Sequence, residues 1–124
     1  MNVKDPKLVA LQFNEYINNQ DIKGLTNLMT KDHTFIDRKG KIDKGKESMT
    51  KGWINYFNQF PDYKNFFTRV ESRDNLVILL GYAKWTTESK RDYTIWTTKI
   101  KTNLVAEWRI YNDTEENRKK FNII

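Results

Sequence analysis

Residues 18–62 read NNQDIKGLTNLMTKDHTFIDRKGKIDKGKESMTKGWINYFNQFPD, and the periodicity changes repeatedly within them. Asp21 is a capping acid ahead of Ile22, Leu25, Leu28 and Met29. Their spacing predicts a short helix with all four turned inward. Gly24 inside that helix costs about 1 kcal/mol of propensity, so tertiary packing must hold it. From His33 to Asp37 the pattern switches to period two. His33, Phe35 and Asp37 then share one face, and Thr34 and Ile36 the other. Lys39-Gly40-Lys41 and Lys44-Gly45 mark turns in a basic loop. From about Lys46, the residues Met49, Trp53, Tyr56, Phe57 and Phe60 return to helical spacing. Pro61 stops that helix by pushing Phe60 out of the α region.

Upstream, Asp5-Pro6 is a helix start: an acidic cap followed by proline at the first helical position. Val9, Phe13, Tyr16 and Ile17 follow at helical spacing, and Leu8 and Leu11 widen the stripe. Downstream, strands are expected over residues 63–71, 76–87, 93–100 and 104–112, with turns at 74–75, 88–92 and 101–103. Helices first and strands afterwards predict an α+β fold with an antiparallel sheet. Residues 1–124 show no linker or internal repeat and read as one domain. The charged tail, 115–120, reads as a frayed helical turn or as disorder.

Composition narrows the chemistry. Four Trp, six Tyr and seven Phe suit a packed interior or a lined cavity. The chain has no cysteine, so thiolate chemistry and disulfides are excluded. A single histidine rules out a multi-histidine metal centre, and no Ca²⁺-loop spacing occurs, so no metal or cofactor is expected. The amino-terminal stretch from Met1 to Pro6 lacks the apolar core of a signal peptide. The longest apolar run is too short to cross a bilayer. A cytoplasmic protein is the expectation. The net charge of +6 invites a nucleic-acid partner, but lysines and acids are interspersed along most of the chain. Only residues 38–51 are enriched, with six bases against Asp43 and Glu47, and no aromatic interleaves them. That segment argues against a base-stacking surface.

The order of these elements, Phe60-Pro61-Asp62 after the third helix, and the ending Glu107-Trp108-Arg109-Ile110-Tyr111-Asn112-Asp113 together resemble the nuclear transport factor two-like superfamily. Within it they resemble the SnoaL-like branch of polyketide cyclase and ketosteroid isomerase-like proteins. The resemblance implies a cone: three N-terminal helices packed on a curved antiparallel sheet, with a pocket inside and a homodimer through the outer sheet face. It implies a pocket protein that binds a small, mostly apolar molecule. Cofactor-free proton-transfer chemistry of the isomerase, cyclase or hydratase type is one outcome; a non-catalytic binding or self-association module is the other.

The isomerases of this superfamily carry a basic aspartate at the end of the first strand, and Asp37 matches it. They carry a tyrosine eight residues before the aspartate that opens the second helix; here that position is Phe13, which has no hydroxyl. Their protonated aspartic acid on a later strand has no counterpart either, since residues 93–100 contain no Asp or Glu. A proton-abstracting site needs an oxyanion donor as well as a base. Tyr16 and Tyr56 are the substitutes in reach of the same pocket.

Asp37 has two readings, a pocket base or an acid capping the loop after the strand. His33 is a candidate partner, but four extended residues at about 3.3 Å each separate it from Asp37 by roughly 13 Å, too far for a dyad. It is a second contact to a ligand or a histidine with one ordinary hydrogen bond. Val105, Glu107, Arg109 and Tyr111 alternate onto one face of the last strand. If that face is concave, Glu107 is a further acid–base candidate, and Arg109 and Tyr111 are ligand contacts. Otherwise they form an ion pair and a core tyrosine. Ala106, Trp108 and Ile110 would then face outward, as a dimer surface. Phe35, Trp53 and Tyr56, with Phe13 and Tyr16, complete the expected apolar wall.

Overall fold

A computed structural model describes residues 3–123 of the chain; Met1 and Asn2, part of the amino-terminal stretch read above, lie outside them. Helix α1 (Pro6–Asn18) begins as its sequence dictates, with the Asp5 carboxylate accepting the Lys7 N–H and proline in the first turn. Val9, Ala10, Phe13 and Ile17 form its buried stripe. Leu8 and Leu11, expected to widen that stripe, stay 62% and 39% exposed. Helix α2 (Ile22–Leu28) is capped by Asp21, whose side chain accepts the Gly24 N–H. Met29 does not end that helix; it opens strand β1 (Met29–Ile36) and is fully buried there.

The basic loop contains a short strand that periodicity did not reveal, β2 (Ile42–Lys44), paired with the end of β1. Helix α3 (Lys46–Gln59) runs to Phe60, one residue before Pro61, and buries Met49, Trp53 and Phe57. Four strands follow: β3 (Lys64–Arg73), β4 (Leu76–Lys84), β5 (Asp92–Lys101) and β6 (Leu104–Asn112). The chain ends in α4 (Glu115–Lys120).

The strands form one sheet in the order β2-β1-β6-β5-β4-β3. Every pairing is antiparallel except β1 with β6, which run parallel. Parallel neighbours cannot be joined by a tight turn. The intervening α3 and the three long strands supply the crossover. The first three helices cover the inner face of this curved sheet. Their core joins Val9, Phe13, Ile17 and Leu25 to Val77, Leu79, Trp96 and Trp108.

A second cluster lies on the outer face, where Ile78, Leu80 and Ile95 are covered by Ile123, with Tyr111 and Phe121 alongside. The tail is therefore ordered. Thr114 caps α4 by accepting the Asn117 N–H, acids occupy its first turn and bases its last, in the sense the helix dipole favours. Arg118 grips Asp113 through two hydrogen bonds of 2.6 and 2.8 Å. That clamp folds the chain back so that Phe121 and Ile123 reach the sheet.

Strand β3 is an edge, and one part of it is blocked. The Asn18 side-chain amide accepts the Asn65 N–H and donates to the Asn65 carbonyl, both at 2.8 Å. A side chain from α1 thus takes the place of a neighbouring strand at that point. Among the described residues, no helix is long and apolar enough to cross a membrane.

Candidate functional site

The inner face of the sheet and α3 do not close on each other completely. They leave a partly open cleft of about 490 Å³. Met49, Trp53 and Tyr56 line it from successive turns of α3, because positions three and four apart share a helix face. Phe35 projects from β1 and Ile110 from the inner face of β6. Trp53 meets Phe35 and Tyr56 edge-on, with ring centroids 6.1 and 6.0 Å apart, and stacks on Phe57 at 5.4 Å. The wall is thus a set of mutually wedged rings whose rotamers are fixed by their neighbours.

The polar lining comes from Asp37, Arg38, Lys39 and Asp43 on the β1–β2 side, and from the phenols of Tyr56 and Tyr63. The Tyr56 hydroxyl oxygen accepts a 2.7 Å hydrogen bond from the Trp85 indole N–H. Indole only donates, so this bond leaves the Tyr56 proton unused. Tyr63 meets the Tyr56 ring edge-on at 4.9 Å, and burial holds both phenols above the usual tyrosine range. At neutral pH Tyr56 is a hydroxyl, not a phenolate, and so a donor group.

Arg38 is a fixed structural cation. It pairs with Asp92 at 2.6 Å and donates to Thr94 at 2.6 Å and to Asn112 at 2.9 Å. Those bonds tie the end of β1 to β5 and β6 and turn the guanidinium away from free use. Asp37 lies one residue beyond β1 and lines the cleft, half-buried. Its Oδ1 accepts the N–H groups of Lys39 and Lys41, each at 2.9 Å, closing a turn in which Gly40 takes φ +83°. Both sequence readings of Asp37 therefore describe part of its surroundings: it caps the loop with one oxygen, and it borders the cavity.

The remaining candidates separate. Phe35, Trp53 and Tyr56 meet at the cleft as expected. Phe13 is fully buried against Trp108 and His33, at 4.9 and 5.8 Å, in the core behind it. Tyr16 packs over Gly24, so close that a Cβ there would lie 2.6 Å from its ring. Helix α2 approaches α1 through that glycine, and Tyr16 serves the contact instead of the cavity.

Glu107, Arg109 and Tyr111 lie on the outer face, which corrects the expectation that they floor the pocket. Glu107 faces Lys99 at 3.8 Å, and the Arg109 guanidinium sits 4.8 Å from the centre of the Tyr111 ring. Trp108, expected outside, is 1% exposed in the inner core, and Ile110 lines the cleft. The cause is a bulge: Lys99 pairs with Glu107 and Ile100 with Val105, leaving Ala106 as an extra residue. One added residue reverses which side chains share a face. The same correction removes Trp108 and Ile110 from the expected dimer surface. Arg38, Lys39, Asp43, Met49, Gly52, Tyr63 and Ile110 were missed as lining residues. Tyr63 follows the helix-ending Pro61-Asp62, a signal for a turn but not for its direction.

His33 is fully buried; its Nδ1–H donates to the Val105 carbonyl at 2.8 Å, and Nε2 has no partner among the described residues. It does not line the cleft. Burial lowers its pKa below the ordinary 6.5, with the Val105 carbonyl and Asp32 opposing that shift. The unfolded chain titrates near the ordinary value. Between the two values the unfolded chain holds a proton that the folded chain lacks, so stability rises with pH there. His33 should therefore leave stability undiminished above about pH 6.5 and erode it as pH falls toward the folded value, by at most about 1.4 kcal/mol per pH unit. Urea midpoints of the native chain and His33→Phe, compared between about pH 7.5 and about pH 5.5, should converge or cross as pH falls. A gap that ignores pH would remove the neutral buried assignment. Among the described residues, no group of three or more His, Cys, Asp or Glu is arranged to hold a metal ion.

No family model matches the chain. No curated protein matches it either. Solved structures do. A protein described as a SnoaL-like polyketide cyclase from Shewanella denitrificans OS-217 superposes with a TM-score of 0.77 at 13% identity, over 94% of this chain and 96% of that one. An NTF2-like protein of unknown function from Cytophaga hutchinsonii ATCC 33406 gives 0.74 at 14% identity, over 98% and 99%. TerC, co-crystallized with polyporic acid, gives 0.73 at 12% identity, over 93% and 97%. Identities this low speak for the fold and nothing narrower. The chain has the nuclear transport factor two-like fold.

Proposed function

We propose that the cleft binds a small, mostly apolar molecule carrying one oxygen function. The observation that carries this reading is the cleft itself: a ring-walled space of about 490 Å³ with an acid at one side and a phenol at another. Apolar walls with a few convergent polar groups are what small-molecule sites are made of. The likeness to TerC, co-crystallized with polyporic acid, supports an organic occupant. Tyr56 donates to the ligand's oxygen, and Phe35, Met49, Trp53 and Ile110 bury its hydrocarbon.

A second reading adds chemistry. Asp37 and Tyr56 border the same cleft, and together they supply the two groups that proton abstraction beside a carbonyl requires. Asp37 takes the proton and Tyr56 donates to the developing oxyanion, without metal or cofactor. Against it, Asp37 already spends Oδ1 on the turn.

One probe separates these readings. 2-Tetralone is small, apolar and carries a single carbonyl with exchangeable neighbouring protons. NMR titration should shift resonances of Phe35, Trp53, Tyr56 and Ile110. In D₂O the protein should speed deuterium uptake at the α-carbon, and Asp37→Asn should abolish this. Tyr56→Phe should slow it by about a hundredfold. Binding at those residues without exchange leaves a binding protein and removes the base role. Shifts elsewhere, or none, overturn both readings.

A further inference from the structure

The outer face of β3, β4 and β5 carries a row that has no part in the cleft. Phe66 pairs directly with Tyr82, and Tyr82 with Tyr93, so three aromatic side chains stand side by side across three strands. Phe66 and Tyr82 stack with centroids 5.1 Å apart, and Tyr93 meets Tyr82 at 5.9 Å. Phe66 stays 39% exposed and Tyr93 54%. The tail that seals the neighbouring patch of this face, through Ile123 on Ile78, Leu80 and Ile95, is not part of this row.

Cations frame it. The Arg91 guanidinium lies 4.6 Å from the centre of the Tyr82 ring. Lys64 and Lys84 are paired one row further along, two residues from Phe66 and Tyr82 and therefore on the same face. Lys84 donates to the neutral Thr87 carbonyl and keeps its charge. The two acids on these three strands are engaged elsewhere: Glu71 bridges Arg69 and Arg73, and Asp92 holds Arg38. The patch is aromatic and positively charged in a chain of net charge +6.

Two occupants can be weighed on those facts. A second copy in two-fold contact brings the same patch against itself, lysine and arginine facing lysine and arginine. An anion with flat apolar faces satisfies both features. Phe66 belongs to the sheet's edge strand, so its ring ends the stack on the open side. A base can extend that stack, and phosphates can meet the cations, the combination by which single strands are held without sequence preference.

We propose that the row of Phe66, Tyr82 and Tyr93, with Lys64, Lys84 and Arg91, is a binding surface for single-stranded nucleic acid. It is independent of the cleft and of what the cleft holds. The basic segment at 38–51, enriched in lysine and arginine, has no role in it.

The test is fluorescence anisotropy of the whole chain with labelled thymidine and uridine homopolymers of about twelve nucleotides, across a salt series. Binding should weaken linearly on logarithmic axes. Replacing Lys64 and Lys84 by Ala should reduce the slope by about 0.7 for each cation. Phe66→Ala with Tyr93→Ala should weaken binding at least about fivefold while leaving the slope unchanged. Tyr93→Ala alone, at an exposed ring, guards against misfolding, and Phe66→Tyr should retain affinity. The proposal is overturned by absence of binding at about 50 mM salt. It is equally overturned if polyglutamate competes as well as the homopolymers and the aromatic variants bind normally. A dimer in sedimentation that Phe66→Ala dissociates would assign the row to self-association instead.

Discussion

Gly81→Ala should unfold the protein or cost more than about 3 kcal/mol, a large part of the roughly 5–15 kcal/mol that separates folded from unfolded chains. A Cβ on Gly81 would lie 1.8 Å from the Phe66 carbonyl oxygen and 2.9 Å from the Phe67 Cα. Both obstacles are backbone, so no rotamer change relieves them. The close approach arises at a bulge: Phe67 pairs with Gly81, yet Arg69 pairs with Leu80, leaving Thr68 extra. A bulge bends its strand and brings the two backbones together, and glycine is the residue that permits this. Gly52→Ala in α3 is the matched comparison. There the nearest outside atom is the Met49 Cε at 4.0 Å, and alanine should add about 0.5–1 kcal/mol of helix stability. Urea denaturation of both variants checks the pair. Near-native stability in Gly81→Ala would mean that β3 and β4 are not bent together here.

Trp108→Ala should cost about 3–5 kcal/mol, the range for removing a buried large aromatic side chain. Trp108 is 1% exposed and lies 4.9 Å from Phe13, between the sheet and α1. Its neighbour Glu107 faces outward, and its 3.8 Å contact is to a Lys99 that is 63% exposed. Glu107→Ala should therefore change stability by less than about 1 kcal/mol, since such surface pairs contribute little. Equal effects at the two positions would contradict the bulge at Ala106. The measurement tests which residues of β6 can touch a ligand at all, because the same bulge sends Ile110 into the cleft and Tyr111 away from it.

Much of the architecture was legible in local chemistry. Asp5-Pro6 and Asp21 announced two helix starts, because a capping carboxylate satisfies orphan N–H groups whatever the rest of the fold does. Pro61 announced the end of α3 for an equally local reason. Phe35, Trp53 and Tyr56 were legible as a wall because α3 keeps its period to Phe60 and β1 alternates cleanly at its end. The short β2 was hidden, since its three residues, Ile42–Lys44, are held by pairing with β1 and have little pattern of their own.

The sequence by itself determined the element order, the helix caps, the helix-then-sheet organisation and the aromatic wall, all products of forces acting over one or two turns of chain. Only the tertiary structure decided which side of each strand faces the cleft. That choice depends on an extra residue in a ladder, at Ala106 in β6 and Thr68 in β3, and a bulge is a relation between two strands. It likewise decided that β1 lies parallel to β6, that the carboxyl-terminal tail seals part of the outer face, and that Arg38 is anchored to Asp92 fifty-four positions away. These are long-range pairings, settled by packing and electrostatics across the fold, and no window of neighbouring residues contains both partners.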